Sequence, residues 1–149
     1  MHHTIRRTAA LLALAALPAL SACSNGGQEA VKIQPAKVVK VEGTDIRRVE
    51  LTPKAAERLG IETTAVRAVT DRQAAHTVVP YAAVIYDADG QASVYTNPAP
   101  LTFVRQRVTV ATIEGDSVYL TDGPPAGTTV VTVGTAELFG TETGIGEFE

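Results

Sequence analysis

Val-Val-Pro-Tyr-Ala-Ala-Val-Ile-Tyr-Asp-Ala-Asp-Gly-Gln-Ala-Ser-Val-Tyr-Thr-Asn runs from Val78 to Asn97 and sets two segments rich in Val, Ile and Tyr on either side of an Asp-Gly pair. Such a pair between β-formers is a strong short-range signal for a hairpin. A type I′ turn at Asp89-Gly90 predicts Ala88 opposite Gln91, Tyr86 opposite Ser93, Ile85 opposite Val94 and Val84 opposite Tyr95. One face then carries Val84, Tyr86 and Tyr95, and the other Ile85 and Val94. Apolar side chains on both faces predict an inner hairpin with other strands packed around it.

Beyond the hairpin, the prolines of Asn97-Pro98-Ala99-Pro100 argue against a paired central strand. Leu101 to Thr112 is the longest strand candidate. Val104, Gln106, Val108 and Val110 share one face, with Phe103, Arg105, Arg107 and Thr109 on the other. Glu114-Gly115-Asp116 turns the chain into Ser117 to Leu120. Thr121 to Gly127 reads as an exposed loop, Thr128 to Val133 as a buried strand and Gly134 to Phe139 as a helical turn.

Ahead of the hairpin, Thr52-Pro53-Lys54-Ala55-Ala56-Glu57-Arg58-Leu59-Gly60 is punctuated as a helix. Thr52 suits the N-cap, Pro53 the first helical position and Gly60 the left-handed residue after the end. Two turns do not hold alone, so Ala55, Ala56 and Leu59 must pack on a sheet. Ile61 to Val69 alternates weakly as one strand, Asp71 to Ala75 reads as a turn, and Val38 to Val41 as a short exposed strand. The whole predicts a mainly β fold: a small β-barrel or sandwich of about seven short strands with one short helix.

The N-terminus is of another kind. Arg6 and Arg7 precede an apolar run from Ala9 to Leu20, followed by small residues, which is the order of a secretory signal over residues 1–22. The run is shorter than the ~20 residues of a spanning helix. Leu20-Ser21-Ala22-Cys23 resembles the bacterial lipobox, and Cys23 is the single cysteine among the 149 residues. The expectation is lipid attachment at Cys23, with the protein held by acyl chains on the extracytoplasmic face of a bacterial cell membrane. Residues 23–44 then form a flexible tether, 45–140 the β domain and 141–149 an acidic tail.

The 16 acidic side chains outnumber 13 Lys and Arg, two of which lie in the signal, a balance that argues against nucleic acid as a partner. No nucleophile–base pair emerges. His76 is the only histidine beyond the signal and has no motif around it. Asp87-Ala88-Asp89-Gly90 resembles the start of a calcium loop, but Gln91 to Tyr95 continues as a strand with no closing Glu, so both aspartates read as turn residues. Soft ligands are too few for a transition metal. Gly140 to Gly146 is acidic and follows no strand-to-helix turn, which excludes a phosphate loop. The expectation is no catalytic, cofactor or metal residue.

Val49-Glu50-Leu51-Thr52-Pro53 with Arg58-Leu59-Gly60-Ile61-Glu62-Thr63 is similar to the opening of periplasmic adaptor subunits (membrane fusion proteins) of efflux pumps of the resistance-nodulation-division type. Val79 to Tyr86 resembles the start of their membrane-proximal domain. Phe103-Val104-Arg105, Val108-Thr109-Val110, Gly115-Asp116 and Gly127 to Gly134 follow in the family's order. Family members carry a barrel, a lipoyl-like domain and a helical hairpin between the two parts; here Ile61 and Val79 lie 18 positions apart, so all three are missing. The resemblance implies a membrane-proximal domain alone, whose strands come from both ends of the chain. It implies docking on a membrane transporter or envelope complex as a non-enzymatic, lipid-anchored accessory subunit. The alternative is a small-molecule or metal-binding lipoprotein that delivers cargo to a transporter, with a pocket lined by Tyr81, Tyr86, Tyr95 or Phe103.

Overall fold

The computed structural model describes residues 34–44, 46–71 and 74–144. The signal, Cys23, most of the expected tether and residues 145–149 lie outside the described residues. In chain order the elements are β1 (Ala36–Lys40), β2 (Arg47–Leu51), α1 (Pro53–Leu59), β3 (Glu62–Ala65), β4 (Arg67–Asp71) and β5 (Ala74–Pro80). A single 3-10 turn (Tyr81–Ala83) leads to β6 (Val84–Tyr86), β7 (Ala92–Ala99), β8 (Thr102–Arg107), β9 (Thr109–Glu114), β10 (Ser117–Asp122), β11 (Thr129–Val133) and α2 (Thr135–Thr143).

All pairings are antiparallel and fall into two sheets. The larger has the order β1-β2-β8-β7-β11-β3, with β6 also on β7; the smaller is β4-β5-β10-β9. Two extended segments cross between the sheets. β3 runs through Val66 into β4, and β8 through Val108 into β9. Val66 donates its N–H to Thr128 O (2.8 Å) and Val108 to Ala92 O (3.0 Å), and both side chains are buried. Strands that bend in this way make the corners of a sandwich. The runs 61–69 and 101–112, expected as single strands, are therefore two strands each. Both sheets stay open, so the molecule is a mainly β sandwich with short helices, and the barrel form of the expectation is not met.

The larger sheet is buried on both faces at its centre. Toward the smaller sheet, Val79, Val94, Val118, Leu120 and Val130 form one cluster. Toward the helices, Val49, Leu51, Tyr95, Phe103, Val131 and Leu138 form another. Because side chains alternate along a strand, Val94 and Tyr95 on β7, and Val130 and Val131 on β11, serve opposite clusters. The second arm, β7, is thus internal, as the hairpin's composition predicts, whereas β6 is only half-buried and leaves Tyr86 exposed.

Its register differs by one. Val84 faces Val94, Ile85 faces Ser93 and Tyr86 faces Ala92. The loop has three residues rather than two: Asp87 N–H donates to Gln91 O (3.2 Å), and Gly90 N–H to Asp87 O (3.0 Å). A type I′ turn needs positive φ at both central residues. Gly90 has φ +78°, but Leu101 is the only non-glycine in that region among the described residues. Asp87 Oδ1 decides the matter by accepting from the N–H groups of Asp89 (3.1 Å) and Gln91 (2.8 Å). The slip puts Val84 with Val94 in the inter-sheet cluster and Ile85 with Tyr95 under the helices.

α1 forms as its punctuation predicts. Thr52 Oγ1 accepts from Ala55 N–H (3.2 Å), and Gly60 takes φ +59°. Four further expectations need correction. β1 pairs along β2 from Ala36, so regular structure starts ahead of residue 45, inside the stretch assigned to the tether. α2 runs to Thr143, past the boundary at 140. β7 continues through Pro98, because the ladder breaks between Thr96 and Ala99 and demands no N–H there. In the loop expected to be exposed, β10 extends to Asp122 and Pro124 is fully buried.

Candidate functional site

The one buried ion pair among the described residues joins β7, β8 and α2. Tyr95 and Arg105 are cross-strand partners on β7 and β8. Both rise from the helix side of the larger sheet. Leu138 and Glu142 stand four apart on α2, hence on one helix face. Leu138 fills the apolar cluster, which brings Glu142 over the strand pair. Glu142 is 2% exposed. Its carboxylate accepts from Tyr95 OH (2.5 Å), from Arg105 Nε (3.0 Å to Oε2) and from Arg105 Nη2 (3.0 Å to Oε1). The Arg105 guanidinium lies over the Phe139 ring, 5.4 Å from its centroid, and Arg47 Nη1 donates to Glu142 O (3.1 Å).

Burial first, and then the hydrogen bond to Glu142, push the Tyr95 phenol far above its usual range. For Arg105, burial works against the charged form, but the hydrogen bonds and charge of Glu142 outweigh it and raise the pKa. Neither group is poised for proton transfer near neutrality. What the arrangement does is hold the last turn of α2 to the sheet by charge-assisted hydrogen bonds.

The residues singled out from sequence do not converge. His76 on β5 faces Val69, with its ring edge-on to Tyr119 at 6.5 Å, and its Nδ1 has no hydrogen-bond partner among the described residues. Asp87 is committed to the hairpin turn with Asp89 beside it, and no group of three His, Cys, Asp or Glu among the described residues could hold a metal. Tyr95 and Phe103 are core, whereas Tyr81 and Tyr86 are about half exposed. Tyr86 borders an open recess beside Gln91 and Val108. Glu142, expected in a solvated tail, is instead the centre of the buried cluster.

The surface has two notable features. Tyr81, Tyr86, Ile113 and Val133 are large apolar side chains left exposed. An apolar groove of about 390 Å³ lies between α1, the start of β1 and the end of β2, with Thr141 of α2 at one side. No helix among the described residues is long and apolar enough to cross a membrane. Comparison with protein-family models, with curated proteins and with solved structures finds no match to this chain.

Proposed function

We propose that the protein is a lipid-anchored, non-enzymatic docking module of the adaptor type, held to the extracytoplasmic face of a bacterial membrane through Cys23. Its folded part engages a membrane transporter or another envelope complex. The observation that carries this reading is how the two resembling segments are joined. β2, from the first segment, pairs with β8 from the second (Val49 facing Phe103), and β3 pairs with β11 (Val131 facing Thr63). One sheet built from both segments is what an adaptor's membrane-proximal domain needs when the intervening domains are missing. Exposed Tyr81 and Tyr86 supply contact residues of the type enriched at interfaces.

The test is crosslinking in intact membranes followed by purification of the full-length protein. Recovery of a transporter or envelope subunit, lost on Tyr81→Ala/Tyr86→Ala, is the expected result. Repeated recovery of the protein with no envelope partner overturns the reading. Cys23→Ala is expected to release the protein from membranes after a high-salt wash, and retention overturns the anchor.

A further inference from the structure

We infer that the groove beside α1 is a binding site for a long-chain carboxylate, with one acyl chain along the apolar floor and its anionic head between Lys54 and Arg58. Side chains four apart on a helix are neighbours, so α1 presents two adjacent rows here. Ala55 and Leu59 make the apolar row, which continues across Leu51 and Pro35. Lys54 and Arg58 make a basic row along the rim. No carboxylate lines the groove. Its volume, about 390 Å³, falls within the range of roughly 300–1,000 Å³ typical of small-molecule sites.

The charges point to the class of ligand. Like charges four apart on a helix repel one another. Neither Lys54 nor Arg58 forms an ion pair with another described residue. An anion between them offsets the repulsion and accepts charge-assisted hydrogen bonds, while its chain covers the apolar row. An uncharged alcohol with the same chain satisfies only the floor. The groove does not depend on the proposed anchor, which bears only on how the ligand arrives. Pro35 follows Cys23 by 12 residues, a span of at most about 40 Å.

The experiment uses the full-length chain in phosphatidylcholine vesicles with a diazirine-bearing palmitate, and in parallel the matching alcohol. Adducts are mapped by mass spectrometry after proteolysis. The acid is expected to label residues 51–59, and the alcohol or the variant Lys54→Glu/Arg58→Glu to give about tenfold less, the scale of one lost charge-assisted hydrogen bond. Both substituted residues are exposed, and an unchanged melting temperature confirms that the variant folds. Equal labelling by the alcohol, labelling undiminished in the variant, or adducts scattered along the chain overturns the proposal. The Cys23→Ala chain, given the acid in solution, separates the two proposals. Labelling at 51–59 upholds the groove even where the anchor fails, and its absence overturns the groove.

Discussion

A carboxylate taken out of water is costly unless donors replace the solvent around it, and Glu142 finds its donors on two strands rather than on its own helix. Removing one partner of such a cluster strands the remaining charge. Arg105→Ala is therefore expected to lose about 3–5 kcal/mol in urea unfolding at pH 7. Tyr95→Phe, which takes away a single donor, loses about 1–2 kcal/mol. The phenol adds a pH dependence. In the unfolded chain Tyr95 ionises near about 10, whereas the native phenol stays protonated well beyond that. Above about pH 10 the unfolded state is thus favoured by ionisation, at up to about 1.4 kcal/mol per pH unit. The advantage of wild type over Tyr95→Phe is expected to be constant below about pH 9 and to shrink above about 10; a flat difference up to pH 11 would exclude the buried phenol. None of this was legible in the sequence near Glu142. Residues 137–149 hold four Glu and no Lys or Arg, Gly140 weakens the helix, and the partner Arg105 is 37 positions away. Only the spacing of Leu138 and Glu142 marks a shared inward face.

At the scale of elements, local chemistry was legible wherever it closed on itself. α1 follows from Thr52, Pro53 and Gly60, each of which acts within a turn of its own position. The hairpin's existence was equally plain, but its register hung on whether Asp87 belonged to the strand or the loop, and its side chain settles that through two hydrogen bonds. Two glycines that end or begin helices make a measurable contrast. Gly60 and Gly134 both have positive φ, at +59° and +91°. A Cβ on Gly60 meets nothing within 4 Å, whereas one on Gly134 would overlap Ile61 Cδ1. Gly60→Ala should cost only the left-handed backbone, about 1–2 kcal/mol. Gly134→Ala adds displacement of Ile61, which packs on the helix-side cluster, and so is expected to lower the melting temperature further. Equal losses would mean that Ile61 swings aside without cost.

Across the whole molecule, strand spacing pointed to a β sandwich, but the division into sheets was hidden. Val66 and Val108 are unremarkable members of alternating runs. What makes them corners is hydrogen bonding to Thr128 and Ala92, partners 62 and 16 positions away. The resulting order is two sheets and a helical layer, with the larger sheet contributing to both clusters through adjacent residues such as Val130 and Val131. Loss of either cluster leaves β7 and β11 with one face uncovered, which couples the layers. Leu120, in the inter-sheet cluster, and Leu138, under the helices, are each at most 1% exposed. Leu120→Ala and Leu138→Ala are each expected to cost about 2–5 kcal/mol. The two side chains belong to different clusters, so the double variant should be additive within about 0.5 kcal/mol. In every case tyrosine fluorescence and far-ultraviolet circular dichroism should report one coincident urea transition. Two separate transitions in Leu138→Ala would instead make the helical layer an independent unit, and the shared central strands would then fail to couple the two cores.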